Sequence, residues 1–148
     1  MNSKTIVAAL LAGLTLFLLG GLFYVLLLGD FFETPVSKDP PGFLFIILGE
    51  LVGGILLAWV LSRFGTSAAD AGAKDGAMFG FLLFLALGLI MHGAYDISAL
   101  SVYMVDVVIS TVRFAVAGAV AGWWLGRGAS TTSYSAPDMG TGDEVPAM

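Results

Sequence analysis

Four long apolar runs decide what this chain can become. Ile6 to Leu28, Phe43 to Leu61, Ala77 to Tyr95 and about Tyr103 to Leu125 are interrupted by no ionisable side chains other than Glu50, His92, Asp106 and Arg113, tyrosines aside. At about 1.5 Å of rise per residue, each run is long enough to cross a hydrocarbon core of about 30 Å as a helix. The remaining composition agrees. A chain of 148 residues that is 58% hydrophobic and 11% charged, with a mean hydropathy of +0.96, lies outside the range of water-soluble domains. The sequence therefore predicts an all-α integral membrane protein, a four-helix transmembrane bundle occupying residues 1–128. In such a bundle lipid and protein interior are equally apolar, so close packing and polar pairing drive the helices together.

The first run follows Lys4 and invites comparison with a secretory signal, but it far exceeds the roughly 7–15 residues of a signal's apolar region. No small-x-small cleavage site precedes Asp30, so it reads as an uncleaved span. Between the first two spans, Pro35, Pro40 and Pro41 stop one helix and restart the next. Ser62 to Gly76 reads as a small, polar connection with room for a short surface helix. Asp96 to Val102 is brief, and Ser98 is a candidate N-cap for an early start of the fourth helix. Lys4, Arg63, Lys74 and Arg127 flank the spans on one side and Lys38 on the other, so the excess of positive charge places both termini in the cytoplasm. Residues 129–148 are rich in Ser, Thr, Gly and Pro with three acids, Asp138, Asp143 and Glu144. That composition reads as a flexible acidic tail.

The second and fourth spans end alike, in Trp59-Val-Leu-Ser-Arg63-Phe-Gly65 and Trp123-Trp-Leu-Gly-Arg127-Gly128. Matching Gly65 with Gly128 sets Glu50 opposite Arg113, and Gly13-x3-Phe17 in the first span echoes Gly80-x3-Phe84 in the third. The pattern is that of a helical hairpin duplicated in parallel, although Trp followed by Arg is also ordinary anchor chemistry at a membrane boundary. Small residues recur at four-residue spacing as Gly49 and Gly53 in the second span, Gly72, Gly76 and Gly80 entering the third, and Gly118, Gly122 and Gly126 in the fourth. Glycines at that spacing line one helix face and let backbones approach closely, within the chain or against another protein.

Charge inside a span has to be satisfied. Glu50 lies about 10 Å below Phe43 and Arg113 about 15 Å below Tyr103, by the rise per residue, so the two depths are compatible with an intramembrane ion pair. Asp106, Ser110 and Arg113 share one helix face, which makes Asp106 a second counter-ion candidate, while His92 and Asp96 are spaced to share a face of the third helix. Two readings stay open. Glu50, His92, Asp96, Asp106 and Arg113 converge on one polar cavity that binds an ion or passes protons, or the pair merely fixes helix register. His92, beside Gly93, is also the single candidate axial ligand for a chlorophyll or haem, and with one His a bis-His haem within the chain is excluded.

Other chemistry lacks its parts. The chain has no Cys and no second His with which to build a zinc site, no phosphate loop, no H-E-x-x-H and no G-x-S-x-G. The expectation is a protein that is not an enzyme, with no metal or other cofactor. A net charge of −5 with few basic residues argues against nucleic acid.

Gly20-Gly-Leu-Phe-Tyr24 through Asp30-Phe-Phe32, the Gly49-Glu50 pair, and Val105-Asp106 leading through Val112 into Ala117-Gly118 and Gly122-Trp resemble small four-helix bacterial membrane proteins of the DUF1761-like type. That resemblance spans the four helices and not the tail. It implies the same architecture and a bacterial inner membrane, singles out Asp30 and Asp106 among polar positions, and implies no established activity; Arg113 lies outside its pattern. Three roles follow as expectations. The first is an accessory or assembly subunit that works by association with other membrane proteins or with itself. The others are a small ion- or proton-coupled transporter or channel, and a pigment- or haem-binding protein through His92.

Overall fold

The computed structural model describes residues 2–33 and 42–127. The prolines of the first connection, Lys38 and the acidic tail lie outside the described residues. Five α-helices occur among the described residues, and none of these residues is in a strand. α1 (Ser3–Gly20) continues into a π-helical stretch, Gly21–Leu27, and is followed by a single turn, α2 (Gly29–Phe32). α3 (Phe43–Phe64), α4 (Ala69–Ala94) and α5 (Leu100–Gly126) follow. Among the described residues four helices are long and apolar enough to span a membrane: Ser3–Leu27, Phe43–Phe64, Ala69–Ala94 and Leu100–Gly126. Their outward side chains, such as Leu14, Phe45, Val52, Leu82 and Ile90, are exposed large hydrophobics, as a lipid-facing surface requires.

Each helix runs further than its apolar core. Asn2 caps α1 by accepting from the Thr5 backbone N–H at 2.9 Å and from its hydroxyl at 2.8 Å, so the helix begins at Ser3 rather than Ile6. α3 continues past Leu61 to Phe64 and stops at Gly65, whose φ of 71° is the left-handed conformation that glycine adopts without strain. The expected surface helix between the second and third spans is absent as a separate element, because α4 already begins at Ala69. Gly72 and Gly76 lie directly on α5, and that contact recruits the polar first turns into the span. α5 begins at Leu100 with Ala99 at its cap position, one residue beyond the expected Ser98, and no side chain closes that end.

The chain folds as two hairpins. α1 packs mainly on α3, and α4 on α5, with α1 also lying along α5. In the α4–α5 hairpin the backbones touch. A Cβ added to Gly118 would sit 3.0 Å from the Gly76 Cα, one added to Gly122 would sit 3.0 Å from the Gly72 Cα, and one on Gly126 would collide with the Ser67 carbonyl. The α1–α3 hairpin crosses at corresponding residues. Gly54 meets Ala9 and Gly13 as Gly118 meets Gly72 and Gly76, and Gly13 faces the Glu50 carbonyl as Gly76 faces that of Phe114. Arg63 lies over the Trp59 ring at 5.5 Å, and Arg127 over Trp123 at 4.2 Å.

This register revises the one read from sequence. Gly13 corresponds to Gly76 and not to Gly80, and Glu50 corresponds to Phe114 and not to Arg113. The reason is that backbone crossings, and not the longer Gly-x3-Phe pattern, fix which residues superpose. Between the hairpins, Ala8, Ala12, Leu16, Leu57, Leu61, Phe114, Ala117 and Ala121 form part of a buried core. At one end of the bundle the Lys4 ammonium donates to the Arg127 carbonyl at 2.7 Å, which brings the start of α1 to the end of α5. The α3 and α4 seam is different, since those neighbouring helices scarcely touch.

Candidate functional site

Three ionisable residues inside the spans, Glu50, Asp106 and Arg113, meet beside that open seam. Arg113, 3% exposed, reaches from α5 to donate from Nη2 to the Leu16 carbonyl of α1 at 2.9 Å and to pair with the Glu50 carboxylate of α3. One side chain thereby ties three helices together. The space for it exists because position 20 is glycine: a Cβ there would lie 2.9 Å from Arg113 Nη2 and 3.1 Å from Glu50 Oε1. A guanidinium carries five donors, and here its buried Nε has no partner among the described residues. The Glu50 side chain remains 20% exposed, toward the open side.

A second polar group adjoins the first. The Tyr24 hydroxyl donates to Asp106 Oδ1 and lies 3.2 Å from the Ser110 hydroxyl, while its ring stands 5.1 Å from the Arg113 guanidinium carbon. Tyr24 sits within the π-helical stretch, where Leu28 N–H bonds to the Phe23 carbonyl at 2.9 Å, one residue further back than in an α-helix. The wider turn alters the face that each side chain presents, and such turns recur at functional sites.

These groups line a cavity of about 530 Å³. Its polar floor is Tyr24, Glu50, Asp106 and Arg113, and its walls include Ile46, Gly49 and Val52 of α3, Leu83 and Phe84 of α4, and Phe114 of α5. The Phe114 ring lies 5.7 Å from that of Phe84, so the deep wall is aromatic. Val52, at 62% exposure, marks the rim on the lipid-facing surface. A smaller cavity of about 300 Å³, bounded by Phe17, Gly20 and Phe43, shares Tyr24 and Glu50 with the first.

The structure thus brings together Glu50, Asp106, Ser110 and Arg113, and leaves out two residues expected with them. His92 is exposed, with its ring 5.9 Å from that of Tyr103. It continues the α4 face that carries Gly88, which itself packs on Tyr103, and so ends a turn away from Asp106 along α5. Asp96 is exposed beyond the last turn of α4, where the helical spacing that was to align it with His92 no longer applies. Glycines divide similarly. Gly118, Gly122 and Gly126 pack against α4 and the segment before it, and a Cβ added to Gly53 would lie 3.4 Å from Leu16 Cδ1, whereas Gly49 faces open space. The close approach of α3 is made by Gly54, because Glu50 must turn toward Arg113 and Gly49 then turns into the cavity.

Tyr24 is the member of the cluster that sequence reasoning did not assign. Its signal was a phenolic hydroxyl near the end of an apolar run, a group that requires a partner when buried. Among the described residues no group of three or more His, Cys, Asp or Glu side chains is placed to hold a metal ion. Compared with protein-family models, curated proteins and solved structures, the chain matches none of them.

Proposed function

We propose that this protein is a non-enzymatic, small cation carrier that exchanges a monovalent cation for a proton at Asp106. One observation carries the reading: two carboxylates and a single guanidinium share one cavity inside the membrane-spanning region. Arg113 pairs with Glu50, while Asp106 holds, among the described residues, a single hydrogen bond from the neutral Tyr24 hydroxyl. An unbalanced carboxylate away from water is costly, so a proton or a cation accompanies it, and occupancy by one excludes the other. Mutual exclusion at one carboxylate couples the two fluxes provided that the unloaded, charged site does not change sides, which the cost of a bare carboxylate away from water opposes. The bacterial inner membrane, with both termini cytoplasmic, is the setting we infer. The basic residues support that orientation: Lys4 and Arg127 meet at one end of the bundle, where Arg63 closes α3 and Lys74 lies near the start of α4.

Proteoliposomes enclosing a pH-sensitive dye test the exchange. An inward gradient of a monovalent cation is expected to drive proton efflux, and Asp106→Asn to abolish it. Proton flux that persists in a folded Asp106→Asn protein overturns the reading.

A second reading has its own support. Gly49 has no neighbouring atom within 4 Å of its would-be Cβ, and a glycine on an uncovered helix face suits a partner helix, as an accessory or assembly subunit would need. A cysteine placed at position 49 would be the only one in the chain. Its crosslinking in native membranes to a defined second protein would favour association, and no crosslink would count against it.

A further inference from the structure

We propose that the cleft between α3 and the α4–α5 hairpin binds a lipophilic organic monocation that enters sideways from the bilayer. The inference rests on the cation reading above and adds the ligand's class and route.

Charge sets the sign of the ligand. With both carboxylates ionised, Glu50 and Asp106 against Arg113 leave one negative charge in excess, and Asp106 makes no salt bridge among the described residues. The walls set its character. Ile46, Val52, Leu83, Phe84 and Phe114 offer hydrocarbon and two aromatic rings around a polar floor. Aromatic faces attract cations, most strongly those stripped of water, and a cation whose charge is shielded by hydrocarbon enters such a place at little dehydration cost. A hard metal ion fares worse. Calcium takes 6–8 oxygen ligands and magnesium demands near-octahedral geometry, whereas no group of three His, Cys, Asp or Glu side chains placed to hold a metal ion occurs among the described residues. A volume of about 530 Å³ is that of a site for a molecule rather than a bare ion, since ligand pockets span roughly 300–1,000 Å³.

Access follows from the fold. α3 and α4 scarcely touch, and the rim residues Ile46 and Val52 are exposed on the surface that faces lipid. A ligand already dissolved in the bilayer reaches Asp106 through this gap without crossing the tight α4–α5 or α1–α3 contacts.

The test uses the full chain in lipid nanodiscs with radiolabelled tetraphenylphosphonium as probe, and labelled sodium in parallel. Tetraphenylphosphonium is expected to bind saturably at one site per chain. Asp106→Asn keeps a hydrogen-bond acceptor for Tyr24 while removing the charge, and Gly49→Phe fills the cleft without removing a charged group. Each should weaken binding at least tenfold, with helicity and unfolding midpoint preserved as the check on folding. Tetraphenylphosphonium binding equal in wild type and both variants would mean that the probe is only dissolved in lipid, which overturns the proposal. Saturable sodium binding that is lost in Asp106→Asn, with no tetraphenylphosphonium binding, rejects the lipophilic ligand and leaves the cation reading standing. Binding of neither probe removes both.

Discussion

The two hairpins cross in the same way, yet the seams that join them are unlike. A pair of equivalent hairpins offers two seams, α1 with α5 and α4 with α3. In the first, α1 lies along α5, Arg113 bonds to the Leu16 carbonyl, and Lys4 bonds to the Arg127 carbonyl. In the second the helices stand apart and the cavity lies between them. Small residues alone do not decide which seam closes, because Gly49 and Gly53 are available on α3. What differs is polar pairing. The closed seam includes a buried guanidinium that needs the α1 carbonyl, whereas the described polar tie of α4 toward α3 lies at the connecting end, where the Thr66 hydroxyl donates to Asp75 at 2.6 Å. In lipid, where apolar burial gives no net drive, a seam without pairing or interdigitation stays open.

The largest effect is expected from damage to a hairpin instead of a seam. At Gly76 a Cβ would collide with the Phe114 carbonyl and lie 3.1 Å from the Gly118 Cα. Both atoms belong to helix backbone and cannot swing aside. Gly76→Leu is expected to abolish assembly, read as loss of folded protein after extraction in mild detergent. Recovery of a normally stable protein would show that the hairpins are not held by backbone contact.

Next in size is the closed seam's polar tie. Arg113→Met leaves Glu50 unpaired inside the span, and breaking a buried pair in this way costs about 3 kcal/mol, near the low end of the range because Glu50 is partly exposed. Replacing both, Arg113→Met with Glu50→Gln, should recover much of that loss, since Glu50 is then no longer a charge without its partner. Reversible unfolding in mixed detergent micelles measures both variants; a double variant less stable than Arg113→Met would contradict the pairing argument.

A smaller effect attaches to Tyr24. Its hydroxyl joins the π-helical stretch after α1 to Asp106 and Ser110 on α5, and removing it in Tyr24→Phe retains the ring against Arg113. Hydrogen bonds between membrane helices average about 0.6 kcal/mol and reach about 1.7. A loss of about 1 kcal/mol is expected in the same unfolding assay, and a loss above that of Arg113→Met would mean that the tyrosine, not the arginine, closes the seam.

How much of this was visible beforehand depends on what kind of signal each residue carries. Hydropathy located the four spans, because exclusion of charge over the length of a bilayer is a property of composition. Depth along each helix paired Glu50 with Arg113, since an isolated charge had few places to go. Helix ends were harder. Residues 69–76 are polar enough to read as a connection, and only the contact of Gly72 and Gly76 with α5 makes them part of a span. The site was legible in part. Spacing put Asp106, Ser110 and Arg113 on one face, but grouping His92 and Asp96 with them assumed that α4 would present its outer half to the same point. Tyr24 escaped notice because its position depends on a π-helical stretch that shifts the face it presents, and residue spacing in an ideal helix does not encode that shift.

The smallest expected effect sits at the open seam. Gly49→Phe adds a large side chain where no atom lies within 4 Å of a Cβ, and it replaces the poorest helix former short of proline. In a closed seam the same change would force the helices apart. Here the ring has the cavity to occupy and gives up contact with lipid for contact with apolar walls, an exchange between equally apolar surroundings. Stability should therefore change by no more than about 0.5 kcal/mol, the range of surface substitutions that touch no special feature. Pairing Gly49→Phe with Gly76→Leu in one experiment compares the two kinds of glycine directly, with the same unfolding assay and yield as readouts. If position 49 proves as intolerant as position 76, then α3 is covered in the membrane, by a partner helix or a second copy. The open seam would then be an interface rather than a portal.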